Sequence, residues 1–203
     1  MDIFEVGLRH PLRSAVEDHI RDIYARSYDA RIHLFAPRLF AAVDGSGRIR
    51  CAAGIRMSPE PFHCACYLDR PAEQVVAAAL ARPVHGSELM EFTTLACCRP
   101  GEALGFVSRL VQQGREQGCH IALFTGTAPL RHLLSRAGLA VIPIAVADRQ
   151  WVANPLDWGR YYDTDPLVCV APDSATVPVL LRGPCFASAR RSGMAMLPAP
   201  QHA

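Results

Sequence analysis

Lysine is missing altogether from this chain of 203 residues, and all 21 of its basic side chains are arginine. A catalytic or Schiff-base lysine is thereby excluded. Excess charge is also scarce: the formal net charge is +2, and the arginines are scattered rather than clustered. So weak and dispersed a basic balance predicts no nucleic-acid partner. No apolar run approaches the roughly 20 residues that span a bilayer, so stable membrane insertion is not expected. Met1-Asp-Ile-Phe-Glu-Val-Gly7 lacks the basic start and apolar stretch of a secretory leader. The expectation is a cytoplasmic protein whose eight cysteines are mostly free thiols.

What is present is ample material for a core. Half of the residues are hydrophobic, enough for one domain, read here as residues 1–172. The remaining segment, 173–203, is rich in Pro, Ala and Arg with little period, and reads as an extended or disordered tail.

Ser14-Ala-Val-Glu17 has the spacing of a capping box, and Val16, Ile20, Ile23 and Tyr24 recur at helical intervals, predicting an amphipathic helix over 14–28. Residues 29–38 read as a loop. Leu39–Val43 and Ile49–Ile55 flank Asp44-Gly-Ser-Gly47, whose residues accept positive φ, so a β-hairpin is predicted. Residues 62–70 show no decided pattern. Pro71 opens a helix over 72–81.

The most informative stretch runs from Glu88 to Gly105. It reads as a strand over 88–97 that breaks at Arg99-Pro100-Gly101 into a helix over 101–117, stopped by Gly118. One acid, Glu91, stands among apolar and threonine neighbours. The helix start directs unpaired N–H groups and partial positive charge toward the strand end, an arrangement suited to phosphate. A strand follows at 120–125, a helix at 129–137 closed by Gly138, and a strand at 139–147 whose Pro143 marks an edge or bulge. Val168–Val170 is a further candidate strand. This order predicts an α/β (α+β) fold: a mixed central sheet with helices on both faces.

From residue 88 onward, particular motifs emerge. Glu91-Phe-Thr-Thr-Leu-Ala96, Phe124-Thr-Gly-Thr-Ala-Pro-Leu-Arg131, Arg136-Ala-Gly-Leu139, Ala147-Asp148 and Trp158-Gly-Arg-Tyr-Tyr162 with Pro166 occur in an order that resembles the thermostable hemolysin family. Tyr67-Leu-Asp69 with Pro71, and the hairpin end Gly54-Ile-Arg56, agree more loosely. That family is similar to the GNAT acyltransferases and stands near the acyl-homoserine-lactone synthases. Two departures are plain. The family's Gly-Asn after the strand glutamate is Thr93-Thr94 here, and Arg99-Pro-Gly-Glu-Ala103 is one residue short of the usual GNAT phosphate loop.

The resemblance implies transfer of an acyl group from a thioester to the amine of a small acceptor, such as an amino acid derivative. The donor is acyl-CoA or the acyl-phosphopantetheine of an acyl-carrier protein, with no permanently bound cofactor. Such chemistry needs a base for the ammonium, donors for the oxyanion and a route for the leaving thiolate. Burial on an apolar strand raises the pKa of Glu91 and suits it as the base; the competing reading is a structural glutamate, solvated or paired with Arg56. Strand amides from Leu95 to Cys97 are expected to hold the pantetheine, and Gly101, Ala103 and Gly105 its phosphate. His132 is the nearest polar candidate to protonate the thiolate. By analogy with the synthases, Arg21 and Arg56 contact the acceptor's carboxylate or the carrier.

Thr93, Thr94 and Thr125 face the same cleft in this reading. Thr125 and Thr127 alternatively cap the next helix. Tyr161 and Tyr162 line the acceptor or acyl pocket, or simply pack in the core. His63-Cys64-Ala-Cys66 with Cys97 and Cys98 fits no zinc spacing, so no metal is expected. Two other functions compete: a membrane-active cytolysin, and a GNAT-like fold that binds a ligand without turnover.

Overall fold

In a computed structural model of the chain, residues 1–172 are described. They form one seven-stranded sheet in the order β1-β2-β3-β4-β5-β7-β6. The strands are β1 (Asp2–Val6), β2 (Arg38–Val43), β3 (Ile49–Met57), β4 (Leu89–Cys97), β5 (Ile121–Gly126), β6 (Ile142–Val146) and β7 (Leu167–Pro172). The helices are α1 (Arg13–Tyr28), α2 (Ala72–Leu80), α3 (Pro100–Glu116) and α4 (Ala128–Arg136). Only β4 and β5 run parallel; the other neighbours are antiparallel. The sheet is mixed, as the element order predicts. The expected tail, 173–203, lies outside the described residues.

Alternation along the strands sorts the helices onto two faces. Met90 and Phe92 of β4 pack with Phe106 and Leu110 of α3 and Leu134 of α4. On the opposite face, Leu89 packs with Val76 of α2, and Leu39 and Ala41 of β2 pack with Val16 and Ile20 of α1. Glu91 has the parity of Leu89, so it is buried on the α1–α2 face.

The predicted hairpin forms as β2 and β3, with Asp44 Oδ1 accepting the backbone N–H groups of Ser46 and Arg48. Pro143 lies on β6, which is an edge strand, beside a register shift between Pro143 and Ala145. The capping box does not form. The chain turns earlier, where His10 Nδ1 accepts the N–H of Leu12, so α1 starts at Arg13 and Ser14 falls inside its first turn. Glu17 is drawn instead to Arg13 at 2.6 Å and Arg21 at 3.0 Å. Strand β1 has no counterpart in the sequence reading. As an edge strand it buries only Val6, and its alternation is too weak to announce it.

Candidate active site

A bulge interrupts β4 in its middle. Gly54 of β3 pairs with Thr93, yet Ala52 pairs with Ala96, so β4 carries an extra residue there. Thr94 takes up the irregularity at φ 47°, a left-handed conformation costly for a β-branched residue. The bulge reverses the alternation: Leu95 packs on the α3 face and Ala96 on the α1 face. Gly54 accommodates it, because a Cβ there would lie 2.3 Å from Thr93 Oγ1.

The bulge also ends the pairing with β5. The parallel ladder runs from Leu89–Ile121 to Phe92–Phe124 and stops, while β4 continues to Cys97 and β5 to Gly126. The strands part there, and the β4 main chain from Thr93 to Cys97 has no strand neighbour on that side among the described residues. The buried hydroxyls of Thr93, Thr94 and Thr125 find no hydrogen-bond partner among the described residues. A parted sheet edge with unsatisfied polar groups is where a ligand with amides and carbonyls can insert.

Glu91 lies three residues before Thr94 and is 1% exposed; it is the one buried acid among the described residues. Its Oε2 accepts the backbone N–H of His63 at 2.6 Å, and its Oε1 that of Cys64 at 2.7 Å. The carboxylate thus receives the first N–H groups of a short 3-10 helix, His63–Tyr67. Burial raises its pKa above the ordinary glutamate value, while the amides, the Cys64 thiol and the Arg56 charge hold it back. Arg56 is the register partner of Glu91 across β3–β4, and donates through Nη1 to the Pro61 carbonyl. Its buried Nε has no partner among the described residues. The backbone, rather than Arg56, is what grips Glu91.

A wall of aromatic rings runs from the open end of β5 to His63. Tyr161 is buried and donates its hydroxyl to the Thr125 carbonyl at 3.2 Å, which sets it at the open end of β5. Tyr24, Tyr28 and Trp158 surround it at ring distances of 6.3, 5.3 and 5.2 Å. Tyr162 shares a 2.7 Å hydrogen bond with Tyr67. Trp158 also packs near His63. Loss of hydration there and the nearby Arg56 charge lower the His63 pKa. Gly159 makes this wall possible: a Cβ at its φ of 49° would sit 2.3 Å from the Tyr28 carbonyl.

The structure brings together Glu91, Arg56, Thr93, Thr94, Thr125, Tyr161, Leu95 and Cys97, all on or beside the parted strands. Thr127 behaves otherwise, capping α4 by accepting the Leu130 N–H. Leu95 is half-buried against the α3 face, and Cys97 lies opposite Cys51. Gly101 and Gly105 are exposed on α3 with open space around them, whereas Ala103 is buried. Arg21 ion-pairs with Glu17 and Asp18, donates to the Ile32 carbonyl and stacks over Phe35. His132 is exposed on α4, and no hydrogen bond ties it to Glu91. Sequence reasoning missed His63 and Tyr67 as members of the site. His63 and Cys64 stood out as metal candidates, but they serve Glu91 through their backbone N–H groups. Among the described residues no three His, Cys, Asp or Glu side chains gather as metal ligands.

A mixed sheet parted beside a central bulge, with a helix leaving the end of the bulged strand, defines a GNAT-like fold. Among solved structures, TofI in an apo form matches with a TM-score of 0.59 at 13% identity, over 86% of this chain and 93% of that one. BjaI, a CoA-dependent acyl-homoserine lactone synthase solved with SAM and isopentyl-CoA, matches at 0.56 and 11%, over 85% and 83%. FeeM, an N-acyl amino acid synthase from uncultured soil microbes, matches at 0.51 and 13%, over 84% and 90%. No curated protein matches the sequence significantly. The chain belongs to the thermostable hemolysin family, whose model matches residues 6–176.

Proposed function

We propose that this protein is a GNAT-like N-acyltransferase, moving an acyl group from a pantetheine thioester to the amine of a small acceptor such as an amino acid derivative. The observation that carries this reading is the placement of a buried carboxylate, Glu91, beside the point where β4 and β5 part. The donor is acyl-CoA or acyl-carrier protein, and its pantetheine amides complete the unpaired edge of β4 from Thr93 to Cys97. The acyl chemistry named for BjaI and FeeM, which share the fold, agrees with this assignment.

Two of the four lone-pair positions of the Glu91 carboxylate are occupied by amides, leaving capacity to accept a proton. Its raised pKa keeps it basic enough to take that proton from an ammonium, directly or through water. The freed amine attacks the thioester carbon, and the β4 N–H groups beyond the bulge steady the oxyanion. The C–S bond then breaks, the new amide nitrogen releases its remaining extra proton to solvent, and the thiolate takes a proton from solvent or from His132. Thr93, two residues along the same strand face as Glu91, orients the amine. Arg56, whose Nε has no partner among the described residues, receives the acceptor's carboxylate; Thr94, Thr125 and Tyr161 shape the remaining walls.

Glu91→Gln should abolish amide formation, read by mass spectrometry with a panel of acyl thioesters and amines, while the protein still melts cooperatively. Full activity in that variant would overturn the role of Glu91. The family's description favours a second reading, direct lysis of membranes. No helix among the described residues is long and apolar enough to cross a bilayer. Dye release from liposomes without any thioester would favour lysis; release only with donor and acceptor present would favour an enzymatic product.

A further inference from the structure

The turn that follows β4 is not an open anion site. Pro100, the first residue of α3, has no N–H to give. The N–H of Glu102 is already donated to the Arg99 carbonyl at 3.1 Å. Glu102 itself places a carboxylate in the first helical turn, where the exposed N–H groups favour negative charge. Its Oε1 accepts from Arg50 Nη2 at 2.6 Å, and both side chains are partly buried, 24% and 20% exposed. Arg50 is brought there by the last pairing of β3 with β4, in which the Cys98 N–H donates to the Arg50 carbonyl at 2.8 Å. The other carboxylate oxygen, Oε2, is buried without a partner among the described residues. The protein thus supplies its own anion at the helix start and neutralises its own arginine with it.

We propose, resting on the acyl-transfer reading, that the Arg50–Glu102 pair selects the donor. It admits the uncharged pantetheine arm along β4 and opposes the nucleotide pyrophosphate of coenzyme A, so the nucleotide adds nothing to affinity. A pyrophosphate approaching this turn meets a like charge, and the arginine that would receive it is engaged. The donor that fits is one whose pantetheine is carried on a protein, with the carrier's single phosphodiester away from this turn. Glu102 acts here as a specificity residue and takes no part in the chemistry.

The test is titration calorimetry of the full chain with pantetheine and with coenzyme A. The wild type should bind the two with similar affinity. Glu102→Gln should tighten coenzyme A by about tenfold, the scale of one guanidinium charge freed at close range, and leave pantetheine unchanged. The double variant Arg50→Gln with Glu102→Gln should lose that gain, because the freed guanidinium is its source. Thermal melts of each variant confirm folding. Coenzyme A binding tenfold or more tighter than pantetheine to the wild type, or no gain in Glu102→Gln, overturns the proposal and leaves acyl transfer standing. Failure of both ligands to bind any of the three proteins overturns acyl transfer and this inference together.

Discussion

Glu91 on β4 and His63 on the following connection of β3 are joined by a 2.6 Å hydrogen bond from the His63 backbone N–H to the Glu91 carboxylate. With the Cys64 N–H at 2.7 Å, it makes one acid both an anchor for residues 63–67 and the candidate base. The two roles have different signatures. Gln in place of Glu91 keeps one acceptor and turns an NH2 group toward the second amide, so about 1–3 kcal/mol of stability should be lost. Chemical denaturation reads that cost, and turnover reads the base.

The pH dependence separates them further. Burial raises the folded pKa of Glu91 above its unfolded value. Between those values the folded state holds a proton that the unfolded state has released, so stability falls as pH rises through the window and is level above it. The rate of a reaction using Glu91 as base rises through the same window. Melting temperatures across pH should therefore show the wild type losing ground to Glu91→Gln on going up from about pH 4.3, the ordinary glutamate value. Parallel curves would sink the raised pKa.

Thr94 adopts φ 47° at the bulge. Asn is a residue type that tolerates the left-handed region. Thr94→Asn should raise stability by about 1 kcal/mol, seen as a higher denaturant midpoint at unchanged slope. A drop in stability would mean that the bulge relies on the threonine methyl more than it suffers from the backbone.

Two glycines should respond oppositely to alanine. At Gly159 a Cβ meets the Tyr28 and Asp29 carbonyls at 2.3 and 2.5 Å, so Gly159→Ala should cost roughly 3 kcal/mol or more. At Gly105, within α3, a Cβ meets nothing within 4 Å, and Gly105→Ala should stabilise by about 0.5–1 kcal/mol. Thermal melts check both. Unchanged donor affinity in Gly105→Ala would also remove that glycine from donor binding.

Arg13 shows what a chain without lysine can build. Its Nε pairs with Glu17, Nη1 donates to the Pro37 carbonyl at 2.9 Å, and Nη2 to the Ala36 carbonyl at 2.9 Å. It ties α1 to the segment entering β2. A lysine ammonium cannot reach these acceptors together, so Arg13→Lys should cost about 2 kcal/mol in urea denaturation. A neutral result would assign that junction to apolar packing.

The elements readable in the residues are those whose causes are local. Asp44-Gly-Ser-Gly47 sets a hairpin because those residues tolerate the turn themselves. Pro71, Pro129, Gly118 and Gly138 mark helix ends because their constraints act on adjacent backbone. Pro143 belongs on an edge because it cannot donate to a ladder. Glu91 was recognisable as unusual, since one acid among apolar strand residues has few comfortable places to go. The motifs from Glu91 to Tyr162 carried the family for the same reason: each is a short run of residue types.

The working part of the site came from contacts between distant segments. Glu91 meets the amides of residues 27 and 28 positions earlier, and Arg50 reaches Glu102 across 52. Nothing in Thr93-Thr94 announces a bulge, because threonine resists the conformation that Gly54 and the β3 register impose on it. Tyr161 could be read as pocket or core until its hydroxyl met the Thr125 carbonyl. The residue types decide which conformations are inexpensive within a few positions. Only packing decides which buried polar group meets a partner and which is left open, since a polar group out of water seeks a partner and the sheet determines what lies within its reach.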